Sequence, residues 1–210
     1  VASKNTPPPE TDVFINVPFD SQYEPLMRAI VFAVYDCGFV PRCAAELEDG
    51  AETRLRKVCG LIEQSRLGIH DISRVQLDPK NKLPRFNMPF ELGIFLGIKR
   101  LGADHADKSC LILDEKPYRY QKCLSDISGL DISVHKGSPR QAVIIVRNWL
   151  GQFTTETIPG GNMIWSDYRK FSARIPLLCK KLGFGPKTLI YRNYVELVSA
   201  WLNEVSPPNA

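Results

Sequence analysis

The sequence predicts an α/β protein: a parallel sheet of four to five strands layered between helices, with a helical extension at the C-terminal end. Three observations carry that expectation. Short β-branched and aromatic runs alternate with stretches of helical apolar periodicity, in the order β-α-β-α-β-α-β-α. Strands joined through helices run parallel, and their crossovers are right-handed. The 210 residues are 44% hydrophobic and 24% charged, a composition that supports a packed core and excludes disorder, collagen or coiled coil as descriptions of the whole.

Residues 1–11 are polar and Pro-rich, and a loose lead-in is expected there. The run Asp-Val-Phe-Ile-Asn-Val at 12–17, stopped by Pro18, is the first strand. Over 22–37, Tyr23, Leu26, Met27, Ile30, Val31 and Val34 recur on one helix face. A brief second strand, 39–43, follows Gly38. The second helix, 52–65, sets Leu55, Val58, Cys59 and Ile62 against Arg54, Arg56, Lys57 and Glu63, and 67–72 is the third strand.

A polar loop over 73–86 follows. Asn87 is then expected to cap a third helix, 88–100, whose first turn tolerates Pro89. Gly93 and Gly97 within it are expected to permit close packing of helix on sheet. The fourth strand is 109–113, ending at Asp114; residues 115–136 read as irregular with a short helix; and Ser-Pro opens a helix over 138–152. Residues 12–150 thus read as one α/β domain.

Residues 151–162 hold three glycines and one proline and read as a linker. Beyond it, 163–182 and 188–205 are helical in pattern, with Trp165, Leu177, Leu178, Val195, Leu197 and Trp201 as the expected core. Two helices cannot bury both their faces alone. Residues 151–210 are therefore expected to pack on the α/β domain, with a contact between copies beside them, so a homo-oligomer is expected.

Several functions are set aside by composition and motif. Lys plus Arg number 27 and Asp plus Glu 23, a net of +4 without the basic stripe of a nucleic-acid binder. No apolar run approaches the ~20 residues of a membrane helix, so no membrane partner is expected. The six cysteines include no Cys-x-x-Cys pair, and the three histidines are not spaced with them as zinc ligands, so no metal is expected. With no signal peptide and no need of disulfide staples, a reducing cytoplasm is the expected compartment. The first residue is Val, so the chain is expected to begin inside a longer reading frame. Gly-x-Gly-x-x-Gly after the first strand, a P-loop and Gly-x-Ser-x-Gly are all missing, which argues against a dinucleotide fingerprint, an NTPase and an α/β-hydrolase.

Ligands of open parallel sheets bind beyond the carboxyl ends of the strands. That rule selects 16–21, 42–45, 70–74 and 114–118, together with the start of the third helix. Glu91 stands out there as the lone charge between Met88 and Ile98. Burying a carboxylate is costly unless it is paired or hydrogen-bonded, whereas a nearby helix N-terminus favours its ionised form. Glu91 therefore either pairs with backbone, Arg74 or Arg85, or serves a ligand. His70 alternates with Asp71 on the strand and reads as a core histidine. Tyr23 suits a core or a stacking role, and Arg74 and Arg85 suit a solvated loop or a phosphate.

Asp-Val-Phe-Ile-Asn-Val-Pro-Phe-Asp at 12–20 resembles the opening strand and loop of TIR domains. His-Asp-Ile-Ser-Arg at 70–74, then a loop, then Asn-Met-Pro-Phe-Glu-Leu-Gly at 87–93, resembles the Asp-hydrophobic-Ser … Asn-x-x-x-Glu-Leu-Gly pattern of nucleoside 2-deoxyribosyltransferases and of bacterial TIR-like nucleotide-binding proteins. The likeness spans about 12–150 and implies a flavodoxin-like three-layer sandwich. It also implies a glutamate acting at the anomeric carbon of a ribosyl group, the position that Glu91 inherits. Pro18 and Phe19 depart from the small polar residues common at that loop, and the loop over 74–86 is long.

The resemblance thus implies a nucleotide partner whose N-glycosidic bond is hydrolysed, with NAD as substrate, no cofactor, and a setting in bacterial antiphage defence. Glu91 and Asp71 are the expected catalytic residues. Asn16, Phe19, Asp20, Ser73, Arg74, Asn87 and Asp114 are the expected substrate contacts, and Asp71 or Asp114 would protonate a neutral base. A nucleotide-sensing module without turnover and a base-exchanging deoxyribosyltransferase are the alternatives, since fold does not fix activity.

Overall fold

A computed structural model describes residues 10–46, 49–74, 83, 85–185 and 189–205. Most of the expected lead-in and of the polar loop after the third strand lie outside those residues. Five strands, β1 Asp12–Asn16, β2 Val40–Arg42, β3 Leu67–Asp71, β4 Ser109–Asp114 and β5 Ile132–Val134, form one parallel sheet in the order β2-β1-β3-β4-β5. This is the flavodoxin-like strand order, in which the chain starts inside the sheet and changes direction beside β1. The helices are α1 Glu24–Asp36, α2 Arg54–Gln64, α3 Asn87–Leu101, α4 Pro139–Leu150, α5 Gly161–Leu182 and α6 Tyr191–Val205.

β5 falls in the stretch that the sequence leaves irregular. Three residues carry too little alternation to detect. The pairing of Ile132, Ser133 and Val134 with Ile112, Leu113 and Asp114 sets the strand, and brings His135 to its carboxyl end.

The chain divides into two compact units, one of residues 10–24 with 40–137 and one of 25–39 with 138–205. The first holds the sheet, α2 and α3. Phe14 packs there with Val58, Leu61 and Ile62 of α2 and Phe95 of α3, and a second cluster joins Ile72, Leu92, Ile112 and Tyr120. Registers Asn16↔His70 and His70↔Ile112 place these residues on one sheet face, the face met by α2 and α3. Alternation turns Asp71 to the other.

Gly68 lies under that packing. A Cβ there would stand 2.7 Å from Phe95 and 2.9 Å from His70 Nε2, so the missing side chain is what admits the Phe95 ring. At the far end of α2, Lys108 is 1% exposed, and its ammonium donates to the carbonyls of Ile62 (2.6 Å), Glu63 (3.2 Å) and Ser65. These carbonyls lie at a helix terminus, where the helix dipole favours a cation; that of Ile62 also accepts from the Ser65 N–H at 3.3 Å.

Two expectations for α3 are corrected. Phe86, not Asn87, occupies the cap position and makes no side-chain cap bond; Asn87 is the first helical residue. Gly93 and Gly97 do not sit against the sheet, because a Cβ at either would meet nothing within 4 Å.

The second unit gathers α1, α4, α5 and α6. The Phe32 ring of α1 stacks on Phe171 of α5 at 5.4 Å and meets Tyr168 at 5.5 Å and Trp201 of α6 at 5.9 Å. Tyr194 donates to the Arg28 carbonyl at 2.7 Å. The stretch over 151–162 is tied down by Arg147, which donates to the carbonyls of Ile158 (3.1 Å) and Pro159 (2.7 Å). The buried stripe of α5 is Ile164, Tyr168, Phe171, Ile175 and Cys179. Leu177, expected in the core, lies off that stripe and is 67% exposed. All six cysteines are free thiols. Among the described residues no helix is long and apolar enough to cross a membrane.

Candidate functional site

The carboxyl ends of β1, β3, β4 and β5 and the starts of α2 and α3 share one rim of the sheet unit, as parallel crossovers require. Among the carboxylates of the described residues there, Asp71, Asp114, Asp20 and Glu91 have different surroundings. Asp71, 0% exposed, accepts from the Tyr23 hydroxyl at 2.5 Å and from the Ser73 N–H at 2.7 Å. His135 Nε2 approaches its Oδ2 at 3.0 Å. The Gly137 N–H donates to His135 Nδ1 at 3.0 Å, while Nε2 stands near the carboxylate without forming a hydrogen bond among the described residues. Burial and the Asp71 charge push the Tyr23 phenol well above its ordinary range, so Tyr23 stays a donor.

Asp114 is equally enclosed. Its Oδ1 accepts from Arg119 and from the Glu115 N–H at 2.6 Å, and Arg119 also donates to the Ser73 carbonyl at 2.6 Å. Burial nonetheless raises its pKa, against the opposing pull of Arg119. Asp20 is held by Arg74 at 3.1 Å, Arg85 at 2.9 Å and two backbone N–H groups.

Glu91 is the exception. It lies in the second turn of α3 with its side chain 11% exposed, and the one cation paired with it among the described residues is Arg54 of α2, at 3.9 Å. Among the described residues no hydrogen bond holds its carboxylate. Burial raises its pKa above the usual glutamate range and Arg54 only partly opposes the rise. The expected help from the helix N-terminus is therefore outweighed by desolvation. Asn87, four residues earlier and exposed, shares its helix face.

Of the residues expected at this rim, contacts join Asp20 to Arg74, while Glu91 meets Arg54; Asn87 is exposed at the start of α3 and the Phe19 ring is 45% exposed. The rim does not bring Asp71 to Glu91: the two belong to opposite faces of the sheet. Asn16 is 3% exposed, and its amide donates to the Met88 carbonyl at 2.8 Å and meets His70 Nδ1 at 3.0 Å. Asn16 thus fastens the start of α3 to β1 and is not open to a ligand. Ser73 is buried with both backbone groups engaged. His70 is fully buried, and desolvation lowers its pKa to about 3, so it remains neutral.

His135, Arg119 and Arg54 escape sequence reasoning. His135 and Arg54 meet their partners only because separate strands or helices end on one rim, and no spacing encodes that; Arg119 follows Asp114 by five residues, a local spacing that marks the pair. Of the alternatives for Glu91, pairing with Arg74 or Arg85 is not formed, as both turn to Asp20.

Comparison of the chain with family models, with curated proteins and with solved structures returned no match.

Proposed function

We propose that this is a TIR-like, deoxyribosyltransferase-like protein that binds a nucleotide and hydrolyses its N-glycosidic bond, with NAD as substrate and Glu91 as the catalytic carboxylate. One observation carries the reading: among the described residues Glu91 is a desolvated rim carboxylate with no hydrogen bond and only a solvent-screened cation, Arg54, at 3.9 Å. Asp71, Asp114 and Asp20 have their charges engaged by the fold. A carboxylate left in that condition costs stability, and a cationic transition state repays the cost.

The chemistry suits a single carboxylate. As the bond from C1′ to the nicotinamide nitrogen breaks, its electron pair goes to the pyridinium and the base leaves neutral. Positive charge spreads over C1′ and the ring oxygen, and Glu91 stabilises it. Water then adds at C1′ and releases a proton, giving ADP-ribose and nicotinamide. A neutral purine or pyrimidine would need protonation first. The donors expected for that step, Asp71 and Asp114, are both wholly buried, which favours NAD over base exchange between nucleosides.

The test is incubation of the chain with NAD and with a panel of nucleosides, with free base followed by chromatography. Base released from NAD supports the proposal. Exchange between nucleosides points to a transferase, and binding without turnover to a nucleotide-sensing module.

A further inference from the structure

Asp20 is shared between two guanidinium groups. Arg74 Nη2 lies 3.1 Å from its Oδ1 and Arg85 Nη1 lies 2.9 Å from its Oδ2. Oδ1 also accepts from the N–H groups of Gln22 at 3.0 Å and Tyr23 at 2.9 Å, so the carboxylate is anchored independently of the arginines. Among the described residues neither arginine has a second anionic partner. One negative charge thus faces two positive charges. The Nε of Arg74 is buried and has no hydrogen-bond partner among the described residues. The three side chains remain reachable, at 27%, 45% and 21% exposure for Arg74, Arg85 and Asp20.

We propose that Arg74 and Arg85 form a phosphate site, so that the ligand of this rim is a nucleotide carrying a 5′-phosphate or a pyrophosphate, not a free nucleoside. The inference rests on the reading of the rim as a nucleotide site and names the ligand class that the rim selects. A guanidinium offers a planar fork of donors that matches phosphate oxygens, and two forks around one anion bind more strongly than one. Asp20 holds both forks at the rim in the absence of ligand. An arriving phosphate competes for them and neutralises the remaining charge, while Asp20 stays on its backbone donors. Arg85 stands just ahead of α3 and Glu91 in the second turn of that helix, so phosphate recognition and the proposed catalytic carboxylate share one helix start.

The experiment is calorimetric titration of the full chain with AMP, ADP and adenosine at fixed salt. AMP and ADP should bind at least about tenfold more tightly than adenosine, as charge-assisted bonds to phosphate would give. Arg85→Gln, at an exposed position, should remove most of that preference with an unchanged melting temperature, and Arg74→Gln should do the same. Equal binding of AMP and adenosine overturns the proposal. So does full phosphate preference in both variants, or no binding of any of the three. Base release from NAD, measured in parallel, separates the two readings. Turnover without phosphate preference sinks the phosphate site alone. Phosphate preference lost in Arg85→Gln, with no base released from any substrate, sustains the site and sinks the hydrolase.

Discussion

Arg54 Nη2 stands 3.9 Å from Glu91 Oε1, beyond hydrogen-bond distance, with the arginine side chain 61% exposed and the glutamate 11%. Water screens the cation while the anion is largely stripped of solvent, so Arg54 compensates Glu91 weakly. This asymmetry is why the glutamate is both a cost to the fold and a resource at the rim.

Glu91→Gln should therefore separate stability from activity. A carboxyl whose folded pKa is raised favours its protonated form in the fold. Stability then falls as pH rises from the unfolded value, about 4.3, to the folded one, and the penalty persists above both. The variant should be more stable than the parent at pH 7, and the gap should close below about pH 4, as urea denaturation at several pH values will show. Its base release from NAD should drop at least about a hundredfold, since each ~1.4 kcal/mol of lost transition-state stabilisation is tenfold. Unchanged turnover would make the carboxylate structural.

Asp71→Asn should act on the scaffold. The substitution removes the charge that holds Tyr23, the Ser73 N–H and His135 in a fully buried setting. A stability loss of about 3 kcal/mol is expected, typical of breaking one side of a buried charged network. Chemical denaturation measures it, and calorimetry with AMP should show little change in affinity. A large affinity loss at constant stability would return Asp71 to the ligand.

Lys108→Met should loosen the end of α2. Three carbonyls lose the ammonium together, that of Ile62 keeping only the Ser65 N–H, and buried unsatisfied acceptors cost about 1–3 kcal/mol each before relaxation. A fall of about 3 kcal/mol in unfolding free energy is expected, read from the urea midpoint.

His70 sets an acid limit. Its pKa lies at about 3 in the fold and near 6.5 when unfolded, so between those values only the unfolded chain takes up the proton. Stability is full above about pH 6.5 and declines as pH falls toward 3. His70→Leu should flatten that part of the profile, at some cost in overall stability because the Asn16 amide loses an acceptor.

Truncation after Gly151 should give an insoluble product. It removes Tyr168, Phe171 and Trp201, the ring partners of Phe32. Light scattering and gel filtration of the 1–151 fragment will test this; a soluble monomer would mean that Phe32 finds other cover.

The sequence by itself determined the alternating α/β order, the helices of the C-terminal end and the prominence of Glu91. Each of these is local: a period of apolar residues, a proline or glycine between runs, or one charge in an apolar segment leaves its mark within a few positions. β5 was too short to leave such a mark, and the phase of α5 was misread at Leu177 because the partner it faces, Phe32, lies far away in the chain. The tertiary structure alone decided which carboxylates are satisfied. Tyr23 and His135 reach Asp71, and Arg74 and Arg85 converge on Asp20, because parallel strands deliver distant segments to one rim. Charge compensation depends on distance through space and on exclusion of water, and neither is written in residue spacing.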